Sequence, residues 1–306
     1  MMSKELKETT NLNKKHANIL PNNSKDHARY LTMGWPSETK TNKGEMGRVY
    51  SITFDKDGTW ATTDYSNNCV YKYNHDDDDN SLSQRFGAKG KGNGQFDHPS
   101  GIAFGNDGSL YVAEIKNNRV QKFDIKGKYL LQFGSRGLGQ LRQPTGIAVH
   151  EDRVYVADTG NSRIAVFQNN GTFCGTIGTS YLSQPHDVAI SDHLFVADVG
   201  HRCVYKFTLD GHYVNKFGDP GMNWGQLYQP RSLAIDAEGY IFVADTYNQR
   251  VSIFDGDGEC VHIFGSCGSK VSQFCCPQGV AISPKGGLYV CDHRNQRIQI
   301  FPTTCS

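Results

Sequence analysis

Short apolar runs separated by polar turn residues alternate along most of this chain. Between Gly94 and Gly134 the runs are Gly101–Phe104, Leu110–Glu114, Arg119–Asp124 and Tyr129–Gly134, and Asn, Asp, Lys and Gly stand between them. Runs of this length bounded by turn residues are typical of β-strands, and apolar stripes with helical spacing are absent. The pattern predicts four short antiparallel strands, which we call a, b, c and d.

The same four-strand unit returns along the chain. Prolines before strand a mark it at intervals of 41 to 47 residues, at Pro99, Pro144, Pro185, Pro230 and Pro277. An acidic residue ends each strand b, at Asp64, Glu114, Asp158, Asp198, Asp245 and Asp292. A degraded first copy at residues 47–73 makes six copies. Repeats of four antiparallel strands at this period predict an all-β fold, a six-bladed β-propeller.

The two ends of the repeat region complement each other. The last copy ends at Ile298–Phe301 without a strand d, and the earlier segment Ala28–Gly34 matches the pattern of Val261–Gly265. We therefore expect an N-terminal strand to complete the last blade, which removes an open sheet edge. The propeller then spans residues 27–303, and the polar residues 1–26 are expected to be a disordered tail or a linker stub.

The copies resemble the NHL repeat, through the motif P-x-G-[IV]-A followed by [LV]-Y-V-A-D-x-x-N-x-R-[IV]. The resemblance covers about residues 28–303 and implies a six-bladed propeller. In animals such propellers often end tripartite-motif proteins, after RING, B-box and coiled-coil modules. Some, such as the Brat-like group, bind RNA on one face of the propeller, and others bind proteins. The present chain lacks the Cys/His arrays of a RING or B-box, so ubiquitin-ligase activity would need a further module.

Composition indicates the compartment. No apolar run approaches the ~18 residues of a membrane span, and the polar N-terminus lacks the apolar core of a signal peptide. Nine cysteines are an odd number, and their spacing does not follow the repeat, as a secreted disulfide framework would. These features predict a cytoplasmic protein with no membrane partner.

The acid at the end of strand b is followed five residues later by arginine in four copies. The pairs are Glu114/Arg119, Asp158/Arg163, Asp245/Arg250 and Asp292/Arg297. Because the pattern repeats, we interpret these pairs as structural ion pairs that fasten the b–c loop and not as catalytic groups. The first and fourth copies carry Cys69 and Cys203 instead of arginine, so Asp64 and Asp198 need other partners.

Charge separates the two faces of the disc. The d–a and b–c loops of a propeller share one face, where Lys and Arg outnumber Asp and Glu; we call this the basic face. The a–b and c–d turns share the other, acidic face, and turn preferences for Asp and Asn explain much of its charge. The net charge of only +1 conceals this polarity, which would orient a polyanion towards the basic face.

Basic and aromatic residues gather near the axis on the basic face. Three of them, His186, Arg231 and His201, depart from the residue types of the other copies. The whole set is His186, His201, Arg202, Arg231, Tyr247, His293 and Arg294 in the last three copies, with Lys116 in the second. Arg binds phosphate, and Tyr and His stack on unpaired bases. The set predicts single-stranded RNA binding, in post-transcriptional regulation, and not binding of duplex DNA. Arg and Tyr also dominate protein interfaces. A protein-interaction platform, such as the substrate-recruiting propeller of a tripartite-motif ubiquitin ligase, stays open.

An enzyme is the remote alternative, because some six-bladed relatives are metal-dependent lyases or hydrolases. Zinc needs about three convergent ligands, and only His186 and His293, with His201 less well placed, are candidates. Asp187 is the one unusual carboxylate expected near the axis. No nucleophile–base motif or phosphate-cradling loop is present. The sequence thus predicts a non-enzymatic binding module without a metal or cofactor.

Overall fold

The computed structural model describes residues 46–74 and 82–302, which form an all-β structure of six sheets around one axis. In the first five sheets the strands follow the order a-b-c-d, and every pairing within a sheet is antiparallel. The six-bladed β-propeller predicted from the repeat is confirmed. No helix in the described part of the chain has the length and apolar character needed to cross a membrane.

The strand bounds repeat from blade to blade. Strands a are Val49–Phe54, Pro99–Phe104, Pro144–His150, Pro185–Ile190, Pro230–Ile235 and Pro277–Ile282. Strands b are Trp60–Asp64, Leu110–Glu114, Arg153–Asp158, Leu194–Asp198, Ile241–Asp245 and Leu288–Asp292. Strands c are Cys69–Tyr73, Arg119–Phe123, Arg163–Gln168, Cys203–Phe207, Arg250–Phe254 and Arg297–Phe301. Strands d are Leu82–Phe86, Tyr129–Phe133, Phe173–Ile177, Tyr213–Phe217 and Cys260–Phe264.

Short elements connect these strands. Single 3₁₀ turns follow strand b at Thr159–Asn161, Thr246–Asn248 and His293–Asn295. A two-stranded parallel pair, Ser266–Cys267 with Gln273–Phe274, lies in the loop before the last blade.

Burial explains the pattern of apolar and polar residues in the strands. Strand b is buried at nearly every position in all six blades, because neighbouring blades cover both of its faces. In blades two to six its sequence before the terminal acid is accordingly a nearly continuous apolar run. Strand d lies at the outer edge, and its residues alternate between exposed and partly buried positions.

The six strands a form the inner wall of the ring, each packed against the strand a of the next blade. The ring closes where Val49–Phe54 packs against Pro277–Ile282. A buried apolar cluster joins the first and last blades there, and the rings of Phe54 and Tyr289 lie 4.7 Å apart, edge to face. Packing of the core therefore brings the two ends of the repeat region together.

Two predictions made from the sequence fall outside the described residues. These are the closing strand Ala28–Gly34 and the tail at residues 1–26. Within the described part, the last blade has three strands. Strand a begins two residues earlier than predicted. Pro99 already pairs with Glu114, and the register then shifts before Ile102. Proline has no N–H to donate, but it is tolerated at the first position of a strand.

Candidate functional site

The acid at the end of strand b holds the loops of the basic face in place. In the third blade the buried Asp158 accepts hydrogen bonds from Arg142 N at 2.7 Å, Asn161 Nδ2 at 2.8 Å and Arg163 Nε at 2.7 Å. Arg142 belongs to the d–a loop, and Asn161 and Arg163 belong to the b–c hairpin. One carboxylate thus fixes both loops that make up the basic face.

The other three pairs have the same geometry. The distances from Arg Nε to the carboxylate oxygen are 2.5 Å for Glu114/Arg119, 3.0 Å for Asp245/Arg250 and 2.8 Å for Asp292/Arg297. Burial raises the pKa of Glu114 and of Asp245, while the adjacent arginine opposes the shift. Each of these three arginines also donates to carbonyl oxygens of the preceding d–a loop.

In the fourth blade, where Cys203 replaces the arginine, the buried Asp198 is satisfied by backbone groups. It accepts from Ser183 N at 2.7 Å and from His201 N at 2.9 Å. The carboxylate of Asp64 likewise accepts from Gly47 N at 2.6 Å.

Two rings of side chains surround the axis on the basic face. One ring occupies the second position of strand a and comprises Tyr50, Ser100, Thr145, His186, Arg231 and Gln278. The other follows the blade acid and comprises Tyr65, Ile115, Thr159, Val199, Thr246 and His293. Most of these residues line a cavity of about 380 Å³ at the mouth of the axial channel, which we call the axial cavity.

The floor of the axial cavity contains a hydrogen-bonded pair from opposite blades. His186 Nδ1 lies 2.8 Å from the carbonyl oxygen of Arg231, so this nitrogen is the donor. Nε2 then accepts from the hydroxyl of Tyr50 at 3.0 Å. Burial lowers the pKa of His186 to about 3, and the charge of Arg231 adds to the effect. Burial raises the pKa of Tyr50 to about 12. His186 is therefore a neutral, fully engaged group.

Aromatic rings form one wall of the axial cavity. The rings of Tyr50 and Tyr65 are stacked with centroids 5.6 Å apart, and Tyr65 contacts His98 edge to face at 4.4 Å. His293 donates from Nδ1 to Val49 O at 2.9 Å, and burial lowers its pKa. This wall is lined by aromatic rings, and burial favours the neutral form of His293 within it.

Arg231 brings a positive charge to the floor of the same cavity. Its guanidinium donates to Gln229 Oε1 at 3.2 Å and to Gln278 Oε1 at 3.3 Å. Both partners are neutral amides, and no carboxylate of the described residues forms an ion pair with Arg231. The side chain is positioned by hydrogen bonds but its charge is not compensated by contact.

Asp187 lies on the other side of the Tyr50–His186 pair. It lines a second cavity, which opens towards the acidic face, and it does not line the axial cavity. Its carboxylate accepts from Val188 N at 3.0 Å and from Leu233 N at 3.1 Å. Burial raises its pKa to about 6 in spite of these bonds.

A second group of sequence-predicted residues lies away from the axis, exposed on the b–c loops. Arg202 Cζ lies 4.5 Å from the centroid of the Tyr228 ring, and the Tyr228 and Tyr247 rings are 5.8 Å apart. Tyr247 is 47% exposed. We call Arg202, Tyr228 and Tyr247 the rim stack.

The remaining candidates are distributed around the basic face. His201 contacts Tyr205, with 3.1 Å between Nδ1 and the hydroxyl oxygen. Arg294 and Lys116 are exposed, in the last and second blades respectively. The structure thus divides the predicted set: His186, Arg231 and His293 meet at the axial cavity, and Arg202 and Tyr247 meet in the rim stack.

Sequence reasoning did not assign Tyr50 and Tyr228 to the site. Tyr50 occupies the ring position that follows proline in the other copies. Because Val49 replaces this proline in the first copy, the sequence alone does not show that Tyr50 is equivalent to Ser100, His186 and Arg231. Aligning strands by the acid that ends strand b, which pairs with Val49 in the first blade, would have found it. Tyr228 lies in a d–a loop, where the repeat has no fixed residue type.

The site residues offer no evident metal centre. Within residues 46–74 and 82–302, no three His, Cys, Asp or Glu side chains are grouped so that they could hold a metal ion. The described cysteines are free thiols.

Sequence comparison identifies the repeat unit. The family model described as NHL repeat matches residues 96–123, 141–167, 227–254 and 274–301. These stretches are the blades that carry the acid–arginine pair. Protein brain tumor of Drosophila melanogaster is 30% identical over 141 residues, covering 44% of this chain and 14% of that protein. B-box type zinc finger protein ncl-1 of Caenorhabditis elegans is 28% identical over 140 residues, covering 44% of this chain and 16% of that protein. The matched region is thus a small part of either relative.

Solved structures share the architecture at low sequence identity. A gluconolactonase of Xanthomonas campestris superimposes with a TM-score of 0.66 at 14% identity, covering 86% of this chain and 88% of that one. At this identity the likeness extends to the fold and not to the chemistry.

Proposed function

The chain belongs to the NHL-repeat family, and we propose that its propeller is a non-enzymatic, cytoplasmic binding module that holds single-stranded RNA on the basic face. The observation that carries the proposal is the rim stack, in which Arg202 covers one side of Tyr228 and the exposed Tyr247 lies beside it. An exposed aromatic ring next to a guanidinium offers both a stacking surface for a base and a donor for a phosphate.

Single strands suit this arrangement better than duplexes. Stacking on Tyr247 requires an unpaired base, and a base inside a duplex has both faces covered by its neighbours. Within residues 46–74 and 82–302, the b–c and d–a loops contain single 3₁₀ turns and one short strand pair, and no longer helix or β-ribbon of the kind that enters a major groove.

The rim stack is continuous with the axial mouth. Tyr228 precedes Gln229, whose side chain accepts from Arg231 at 3.2 Å. The exposed Arg294 supplies a further positive charge on the adjacent blade. A strand stacked on Tyr247 can therefore extend towards the axis over positively charged side chains. His186 takes no part in this contact, because both of its ring nitrogens are occupied.

Binding of a fluorescent random-sequence RNA, measured by anisotropy at two salt concentrations, tests the proposal. We expect affinity to fall as salt rises, with a slope that decreases by about 0.7 for each phosphate contact removed. Arg202→Glu together with Arg294→Glu should abolish binding. Lys126→Glu on the acidic face is the control and should not change it. The proposal fails if no affinity appears at low salt, or if the double variant binds like the wild type.

A protein-interaction platform is the second candidate function. Trp224 and Met222 are 48% and 64% exposed, in the same d–a loop as Tyr228. Large exposed apolar side chains beside Tyr and Arg are typical of interface hot spots. Trp224→Ala separates the two functions, since it should weaken capture of a protein partner and leave RNA binding unchanged.

A further inference from the structure

The axial cavity has features of a small-molecule site that RNA binding along the rim does not require. Its volume of about 380 Å³ lies within the range of ligand pockets in proteins. It opens on the basic face and ends at the Tyr50–His186 pair, so a ligand would enter from one side only. A ligand in this cavity would be independent of the proposed RNA binding along the rim.

The charge in the axial cavity is positive. Arg48 and Arg231 line it, and no Asp or Glu is among its lining residues. The partners of Arg231 are neutral amides. Asp97, near the rim, is engaged by His98 at 2.6 Å, and Asp187 lies beyond the floor. A half-buried guanidinium without a contacting carboxylate is a site for an anion, because oxyanions accept charge-assisted hydrogen bonds from it.

The aromatic wall of the axial cavity indicates a second property of the ligand, besides its negative charge. The Tyr65 ring stacks on Tyr50 and is partly exposed to the cavity, and His293 meets it edge to face at 6.2 Å. Such a wall favours a planar ring. Thr145, Thr159 and Gln278 provide a few polar groups that could orient a ligand.

We propose that the axial cavity binds a small aromatic anion, in which a planar ring lies against Tyr65 and a carboxylate or phosphate contacts Arg231. Arg48, exposed at the mouth, attracts the anion, and the Tyr50–His186 pair limits how deeply it enters.

Calorimetric titration of the purified chain tests this site with two aromatic anions, 4-hydroxybenzoate and adenosine 5′-monophosphate. Their neutral counterparts, 4-hydroxybenzyl alcohol and adenosine, test the need for charge, and acetate and inorganic phosphate test the need for a ring. We expect at least one aromatic anion to bind, and its neutral and ring-free counterparts to bind at least about tenfold more weakly. Absence of binding by both aromatic anions, or equal affinity for the counterparts, overturns the proposal.

Variants locate the site. Arg231→Gln should weaken binding by about tenfold to a hundredfold, as expected for the loss of hydrogen bonds to a charged group. Arg136→Gln, an exposed arginine of a d–a loop outside the cavity, is the matched control and should bind normally. If Arg231→Gln does not fold, judged by its melting temperature, Arg48→Gln serves instead with a smaller expected loss. Equal effects of the control and cavity variants would contradict the assignment.

Tyr247→Ala distinguishes this site from the proposed RNA site. It should weaken RNA binding and leave the aromatic anion unaffected. Loss of anion binding in Tyr247→Ala would place the anion in the rim stack and overturn the axial assignment. Absence of RNA binding by the wild type would defeat only the proposed function.

Discussion

The hydroxyl of Tyr50 lies 3.0 Å from Nε2 of His186, across the axis of the propeller. The two residues occupy the same ring position in the first and fourth blades, which face each other in a ring of six. Their bond is therefore a contact through the centre of the ring and not between neighbouring blades. It separates the axial cavity from the second cavity, which contains Asp187.

The first prediction concerns this bond. Tyr50→Phe leaves Nε2 of His186 buried without its donor, and we expect the free energy of unfolding to fall by about 1–3 kcal/mol. Denaturant unfolding measures the change. Tyr65→Phe is the control. Because Tyr65 makes its contacts through its ring, which phenylalanine keeps, the free energy of unfolding should fall less in this variant. Equal losses in the two variants would show that the cross-axis bond contributes nothing.

The second prediction concerns pH. Native His186 has a pKa of about 3, against about 6.5 in an unfolded chain. Between these values the unfolded state binds a proton that the native state does not, so His186 lowers stability as pH falls. The difference in unfolding free energy between wild type and His186→Gln should change by about 1.4 kcal/mol per pH unit in this window. A pH-independent difference would mean that native His186 titrates normally.

The comparison with a variant is necessary because Asp187 has the opposite effect. Its pKa is raised to about 6 from an ordinary value of 3.8, so the native state binds the extra proton between these values. Asp187 therefore contributes stability at low pH that is lost as pH rises through 6. The two windows overlap, and the wild type alone would show a shallow dependence in which both contributions are hidden.

The third prediction concerns the buried pairs. Arg119 and Glu114 are 5% and 0% exposed, and Arg119→Met leaves the buried carboxylate without its cationic partner. We expect a loss of about 3–5 kcal/mol in the free energy of unfolding. Adding Glu114→Gln should recover part of the loss, because the uncompensated charge is removed. Arg163→Met should lower the free energy of unfolding by less, because Arg163 is 19% exposed and its pair with Asp158 is less buried. A double variant less stable than Arg119→Met would contradict this account.

The fold was largely predictable because the repeat imposes it. Strand b was located to the residue at Leu110–Glu114, since burial on both faces makes it a continuous apolar run between turns. The sequence predicts that strand a of the second blade begins at Gly101, but the strand begins two residues earlier, at Pro99. The difference arises because proline is typical of turns, although it can also begin a strand. The predicted closing strand lies outside the described residues and stays a prediction.

The site was less predictable, because sequence position gives the ring but not the direction of each side chain. His186 and Arg231 were recognised as departures from the repeat, but their roles differ: one is neutral and buried, and the other retains a charge at a cavity. That difference depends on the Tyr50 hydroxyl and the Arg231 carbonyl, which come from other blades. The contact between Tyr228 and Arg202 could not be predicted, because Tyr228 lies in a loop without a repeated sequence pattern and only the fold brings it to Arg202.

The fourth prediction concerns the rim stack. Tyr247→Ala removes the exposed ring beside Tyr228, and stacking of a base on an aromatic ring contributes about 1–3 kcal/mol to binding. We therefore expect RNA affinity to fall by about fivefold to more than a hundredfold, with little change in the salt slope, because no phosphate contact is lost. Arg202→Ala should instead weaken binding and reduce the slope. Tyr213→Ala, an exposed tyrosine of an outer strand d, is the matched control. If Tyr247→Ala changes the slope as much as Arg202→Ala does, its ring acts by holding Arg202 in place and not by stacking on a base.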